Sequence, residues 1–412
     1  MKKIIPESFF TRYVFVLPFL MITAGACLIV VFRKKYPFIK LTAYLNLIIV
    51  FFIISDIIVL LYRAFEKSPN RVVLLNGAAV QPCDSCAKPD VYFLVFDEYG
   101  SSASLKKEYG YDNSQLDTFL TGKGFNIQQQ SVSNYNWTQF SMASILNMSY
   151  LSISDPNALV FQDYLHAERL IRNNKVVAFF KSEGYQVEGI SIFDFEGDNK
   201  AVLEDNLASP RSRLITQRTF VNVVLNDIGW RFLQKKINWG LMTGKYNERF
   251  DNIQLGIDLI KKSAHKKSNT PRFVYGHLLM PHAPFYMDKQ KRQVNVQKMM
   301  GDAETSSTKA YVNYLYYTNL VIIDIIETIR TVTNDQAVII LMGDHGFRPP
   351  TDLAFPVFYF QNLNAVYYPG KKNTLFYSNV SGVNQFRIVL NDLFKQHLPL
   401  LQDSMIYLKD KK

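Results

Sequence analysis

Residues 337–343, Ala-Val-Ile-Ile-Leu-Met-Gly, hold no charged or hydrogen-bonding side chain, and three of the seven are β-branched. Such a run reads as a strand buried on both faces of a parallel sheet, because alternation disappears when neither face meets water. It stops at Asp344-His345-Gly346. In open α/β sheets, ligands bind at the carboxyl ends of the strands. A carboxylate beside an imidazole, with a glycine to free the backbone, suits a divalent metal as well as an ordinary polar turn. What precedes the motif in the chain decides between the two.

The first 63 residues are of another kind. Residues 13–32 carry no charge and are bracketed by Arg12 and Arg33, and residues 41–62 are apolar apart from Asp56. Twenty residues at helical rise span about 30 Å of hydrocarbon, so the sequence predicts a transmembrane hairpin with helices at about 13–32 and 41–62. A cleaved signal peptide fits less well, since the first run is long and continues through Leu28-Ile29-Val30-Val31 without a cleavage site. Arg33, Lys34, Lys35 and Lys40 lie between the runs. The positive-inside rule places that loop in the cytoplasm and everything after Tyr62 outside it. A net charge of +11, from 46 Lys and Arg against 35 Asp and Glu, favours anionic surroundings. No basic run is interleaved with aromatics, so lipid is expected as the partner and nucleic acid is not.

Residues 64–89, with three prolines, a glycine and scattered charge, read as a linker. They contain Cys83-Asp-Ser-Cys86, two of the three cysteines in the chain. The pair is open to three readings: a redox motif, half of a zinc site, or a closed local disulfide. No second Cys/His pair follows, and an oxidising compartment favours the disulfide.

Residues 90–412 make an α/β domain. Val91–Phe96 is a second buried-strand candidate, ending in Asp97-Glu98. A helix is expected over Asp112–Gly124, and Gly124-Phe125 restarts an extended segment. Polar residues from Ser133 lead into a small apolar helix that starts near Thr138. A hydroxyl there is usually a cap, but a helix amino terminus also stabilises an anion, including a phosphoryl group in transfer. The middle of the domain reads as a helix over Val176–Gly184, a strand over Gln186–Ile190, and helices over Phe220–Leu233 and Phe250–Ala264. Phe273-Val-Tyr-Gly-His277 is a third strand, with His282 held between Pro281 and Pro284 beyond its end. His277 suits a core position or the neighbourhood of the site, and His282 a contact with a leaving oxygen. Residues 303–333 predict one or two helices, Arg348 can meet an anionic substrate, and Val383–His397 predicts a docking helix.

A strand ending in Asp-Glu, a threonine at a helix start, Pro-His-x-Pro, and a strand ending in Gly-Asp-His-Gly occur in that order. From about Pro89 to Phe394 the chain thereby resembles the alkaline phosphatase superfamily. Within it, the resemblance is to the sulfatase-like, membrane-anchored branch that includes lipoteichoic acid synthase and the lipid A phosphoethanolamine transferases. The resemblance implies a three-layer sandwich with a mostly parallel central sheet. It implies one divalent metal, Zn or Mn, held by Asp97, Thr138, Asp344 and His345, with Glu98 as an extra ligand. It also makes Thr138 the nucleophile, places His282 at the leaving group, and brings His282, Arg348 and His277 to the substrate. A sulfatase nucleophile box has Cys or Ser, then Pro two places on and Arg four places on. Thr138, Phe140 and Met142 occupy those places here, which resembles the phosphotransferase branch instead. A two-helix anchor is shorter than many family members carry.

The expected function is therefore metal-dependent transfer of a phosphoryl-containing headgroup, from a phospholipid to a hydroxyl-bearing envelope acceptor, outside the cytoplasmic membrane of a bacterium. Hydrolysis by a phosphatase or phosphodiesterase of the same fold is the second expectation. A catalytically silent membrane scaffold is the third.

Overall fold

The computed structural model describes residues 39–65, 71–75, 77–196, 239–266, 268–370 and 375–411, with a few positions between 22 and 29. The helices expected over 13–32 and over 220–233 lie outside the described residues, the first but for those few positions. The chain divides into two units, one of residues 1–69 with 216–237 and the other of residues 70–215 with 238–412.

In the first unit, helix α1 (Ile39–Phe65) covers the second apolar run. Its large side chains are exposed, Leu47 and Phe51 at 67% and Phe52 at 62%. Among the described residues no helix is long and apolar enough to cross a membrane.

The second unit is built on a six-stranded sheet. Its strands are β2 (Val91–Phe96), β3 (Asn126–Ile127), β5 (Gln186–Ile190), β6 (Arg272–Leu278), β7 (Val338–Gly343) and β8 (Asn364–Tyr367), in the spatial order β3-β8-β7-β2-β6-β5. Strands β7, β2, β6 and β5 run parallel, while β8 is antiparallel to β7 and to β3. This is an α/β fold with a mostly parallel central sheet, and helices cover both faces, the architecture that the resemblance implies. Val91, Phe93 and Val95 enter one core, with Phe140 and Met142 of α4 (Thr138–Asn147), Ile171 of α5 (Phe161–Arg172), Val176 of α6 (Lys175–Ser182) and Phe386 of α10 (Gln385–Phe394). Tyr92, Leu94 and Phe96 enter the other, with Leu105 of α2 (Ser102–Tyr109) and Leu116 of α3 (Ser114–Gly122). Ile260 of α7 (Trp239–His265), Met299 of α8 (Val296–Glu304) and Ile322 of α9 (Thr308–Val332) complete that second core. Each fully buried aliphatic or aromatic side chain contributes about 1.5–3 kcal/mol, which is why the central strands have no polar face.

Some elements match expectation and others differ from it. The linker is not structureless: β1 (Val72–Leu74) pairs antiparallel with β4 (Leu151–Ile153), and Arg71 bonds Asp163 at 2.8 Å. Backbone groups of residues 72–74 thus find a ladder that their short, composition-poor segment does not advertise. Cys83 and Cys86 are joined by a disulfide, the favoured of the three readings. Of the one or two helices expected over residues 303–333 there are two, because α8 ends at Glu304 and Ser307 caps α9 by accepting from the Ala310 N–H at 3.3 Å. Helix α7 starts at Trp239 rather than Phe250.

Candidate metal and nucleophile site

Parallel pairing sets the site. In β2 and β7, Phe96 lies opposite Gly343, so the next residues, Asp97 and Asp344, leave adjacent strands side by side. Strand β6 pairs on the other side of β2, Phe96 with Leu278, and its continuation carries His282. Three carboxyl-terminal strand ends thus feed one place, as the rule for ligand binding in such sheets requires.

The turn after β7 admits only glycine on either side of the Asp-His pair. A Cβ at Gly343 would lie 2.3 Å from the Tyr99 carbonyl oxygen, and one at Gly346 would lie 2.1 Å from that of Phe358. Glu98 after β2 adopts φ 63°, the left-handed region that a non-glycine residue occupies at a cost. That conformation brings the Glu98 N–H to donate to Asp344 Oδ1 at 2.9 Å, where the His345 N–H also donates at 2.9 Å. Ser141, one turn into α4, donates its hydroxyl to the Asp344 carbonyl at 2.6 Å.

Asp97, Asp344 and His345 each offer a ligand atom within 4.8 Å of the others, all three residues being buried. His345 Nδ1 lies 2.9 Å from the Gly346 carbonyl. A carbonyl only accepts, so Nδ1 carries the proton and Nε2 presents its lone pair. Yet Nε2 lies 3.2 Å from Asp344 Oδ2. Asp344 Oδ2 and Asp97 Oδ1 are buried and have no hydrogen-bond partner. Burial, then the charges of Asp344 and Glu98, raise the Asp97 carboxyl well above the usual carboxylate range. Asp344 is held low: burial opposes ionisation, but His345, His277, the Thr138 hydroxyl and the Glu98 N–H outweigh it. Burial also lowers the His345 imidazole, against the charge of Asp344, which raises it. Two orphaned carboxylate oxygens facing an imidazole lone pair form a cluster of donors with no cation of the protein between them. The set fits a divalent metal, and its mixed oxygen and nitrogen character suits zinc or manganese.

Thr138 is the first residue of α4, after the extended Trp137. Its hydroxyl does not cap the helix. Thr138 Oγ1 lies 3.2 Å from His345 Nε2, and the residue is 8% exposed. The first intrahelical bond runs from the Ser141 N–H to the Trp137 carbonyl, so the N–H groups of residues 138–140 precede the ladder and point toward the same end.

The remaining predicted residues are placed differently. Glu98 lies outside the three-residue cluster, because its carboxylate accepts from Arg348 Nε at 2.9 Å. Burial opposes its ionisation, but the charges of His282, Arg348 and His345 hold its carboxyl low. Arg348 is not a free surface cation: it donates to the Asn136 carbonyl at 3.0 Å and lies 4.3 Å from the centre of the Trp137 ring. His277 is fully buried, with Nδ1 2.9 Å from the Tyr275 hydroxyl, and burial lowers its pKa to about 4. In place of the expected substrate contact it packs in the core, since β6 is central and covered on both faces. His282 is half-buried, with Nδ1 against the Ala283 carbonyl. It lines a cleft of about 850 Å³ together with Glu98, Trp137, Phe347, Arg348 and Tyr359. Ser141 and Trp137 were not singled out from sequence. Ser141 had one signal, its i+3 spacing from Thr138 on a helix face.

A family model described as Sulfatase matches residues 93–379. The chain belongs to the sulfatase family, in the sulfatase-like branch of the alkaline phosphatase superfamily, and is an enzyme of that type. Among curated proteins none matches it. Solved structures similar to it include the C-terminal periplasmic domain of EptC from Escherichia coli in complex with Zn, at 12% identity over 80% of this chain and 87% of that one, TM-score 0.46. The C-terminal periplasmic domain of phosphoethanolamine transferase EptC from Campylobacter jejuni is similar at 14% identity over 77% and 92%, TM-score 0.41. The integral membrane protein lipooligosaccharide phosphoethanolamine transferase A from Neisseria meningitidis is similar at 13% identity over 95% and 71%, TM-score 0.42.

Proposed function

We propose that the protein transfers a phosphoryl-containing headgroup from a phospholipid to a hydroxyl acceptor, with Thr138 as nucleophile. The observation that carries this reading is the position of Thr138 Oγ1, 3.2 Å from His345 Nε2 and at the amino end of a buried helix. A cap would turn back to its own helix. Asp97, Asp344 and His345 would hold the metal, zinc or manganese. When bound, it supplies positive charge that favours the ionised threonine oxygen and offsets charge on the phosphoryl group.

The chain's own residues do the rest. Thr138 Oγ1 attacks phosphorus, forming an O–P bond while the bond to the diacylglycerol oxygen breaks, and the headgroup phosphate stays on Thr138. The N–H groups at the start of α4 face the equatorial oxygens. His282 Nε2 gives a proton to the departing oxygen; in the second step it takes one from the acceptor hydroxyl as the acceptor oxygen bonds phosphorus and the O–P bond to Thr138 breaks, returning the threonine oxygen. Arg348, fixed by Glu98, Asn136 and Trp137, sets the wall of the cleft against which an anionic group docks.

The domain organisation belongs to the same proposal. Residues 1–63 form a transmembrane hairpin, residues 64–89 the connection, and residues 90–412 a catalytic domain outside the cytoplasmic membrane of a bacterium. The exposed apolar side chains of α1 support this, as does the advantage of fixing the site near a plane of lipid headgroups.

Thr138→Ala should abolish transfer of headgroup from radiolabelled phospholipid while leaving metal content and the unfolding midpoint unchanged. Turnover that survives the substitution would take the nucleophile role from Thr138. Release of free phosphate ester instead of a headgroup adduct would favour the hydrolase reading, and absence of bound metal in the purified protein would favour the silent scaffold.

A further inference from the structure

Part of the cleft wall is made by a segment that the reaction above does not use. Residues 406–411 run alongside the loop leading into Thr138. The Ile406 N–H donates to the Asn134 carbonyl at 2.8 Å, and the Leu408 N–H to Asn136 Oδ1 at 2.8 Å. Asn136 Nδ2 and Trp137 Nε1 both donate to the Leu408 carbonyl, at 3.1 and 3.2 Å. On the other side the segment is tied to residues 156–159. The Lys409 N–H donates to the Pro156 carbonyl at 2.9 Å, the Leu159 N–H to the Lys409 carbonyl at 2.8 Å, and the Lys411 N–H to the Leu159 carbonyl at 3.0 Å. Leu408 is 1% exposed and anchors it. The backbone is thus held on both sides.

Lys409 and Lys411 are exposed and line the same cleft as His282 and Arg348. The acidic groups of that cleft are already engaged. Glu98 is bonded by Arg348, and Asp410 accepts from the Tyr164 hydroxyl at 2.7 Å. Neither lysine has a carboxylate partner among the described residues; Lys409 lies 5.4 Å from the centre of the Tyr407 ring. Two ammonium groups on a fixed backbone, beside a site that binds one anion, are placed to bind another.

We propose that Lys409 and Lys411 form a subsite for a second anionic group, a phosphate or carboxylate, carried by the substrate away from the reacting centre. The proposal rests on the phosphoryl-transfer reading and specifies the substrate class of that site.

Two soluble probes separate the claims: 4-nitrophenyl methyl phosphate, with one reacting phosphate, and 4-nitrophenyl 3-phosphopropyl phosphate, with a second phosphate on its arm. The metal-loaded protein should show a lower KM for the second probe. In the double variant Lys409→Gln/Lys411→Gln, KM for that probe should rise about tenfold with kcat unchanged, the scale of two partly exposed charge contacts. Both parameters for the methyl probe should stay put. Lys409→Arg/Lys411→Arg should restore the preference, and an unchanged unfolding midpoint should accompany all variants. Equal KM values for both probes, or equal losses on both in the glutamine variant, would overturn the subsite while leaving phosphoryl transfer standing. Turnover of neither probe by the parent protein would overturn the phosphoryl-transfer reading and the subsite with it.

Discussion

Arg387 is 2% exposed and faces carbonyls rather than carboxylates. Its Nε and Nη2 donate to the Met148 carbonyl at 2.9 and 2.8 Å, and Nη1 to the Pro399 carbonyl at 2.7 Å. Burial lowers its pKa, and the two carbonyls make the charge tolerable. Met148 is the C-cap of α4, so the guanidinium sits at the negative end of the helix whose positive end bears Thr138. Arg387→Met should cost about 2–4 kcal/mol in urea unfolding, because it leaves buried carbonyls without donors. A change within about 0.5 kcal/mol would show that water replaces the guanidinium. Gly343 makes a related point: its missing Cβ leaves room for the Tyr99 carbonyl, whose oxygen accepts from the Leu363 N–H at 2.9 Å. One absent carbon lets three strand ends close on one another.

Among the elements, β6 and α7 are packed so closely that Gly276 has Ile260 over it. A Cβ there would lie 2.6 Å from Ile260 Cδ1. Gly276→Ala should destabilise by about 1–3 kcal/mol, and Ile260→Val, which removes that terminal methyl, should recover part of the loss in the double variant. Strict additivity in the unfolding free energies would show that the two positions do not touch. Strands β2 and β5 were legible in the sequence at their full length, because an unbroken apolar run and a Gly-bounded β-rich segment have few other uses. Helix α4 was legible at its start. Strand β8 was not: Asn364-Ala-Val-Tyr367 is short and begins with a residue that strands avoid, and only its pairing with β7 makes it extended. The same holds for β1, whose partner β4 is far along the chain. Helices α2 and α5 present mixed faces that match solvent on one side and core on the other, and no cap or glycine singles out α5.

At the scale of the whole molecule, Asp97 is buried beside the charges of Asp344 and Glu98, which raise its carboxyl, and a bound cation would relieve that repulsion. EDTA should therefore lower the melting temperature by several degrees, and zinc or manganese at about 100 times its Kd should restore roughly 2.7 kcal/mol. Asp97→Asn keeps the shape and removes one charge, so the metal-free variant should melt at or above the metal-free parent and show no shift on adding metal. A full metal response in that variant would place the ion elsewhere. The kinds of element, the positions of the carboxylates and histidines at strand ends, and the threonine at a helix start were determined by the sequence alone, because burial on both faces leaves an apolar signature that short-range chemistry can express. The register of β2 against β7, which sets Asp97 beside Asp344, was decided only by tertiary structure. So were the capture of Glu98 by Arg348, the burial of His277, and the closing of the cleft by residues 406–411. Each depends on which distant strand or loop arrives at 3 Å, and pairing across 200 or more residues is settled by packing of the whole core rather than by any local preference.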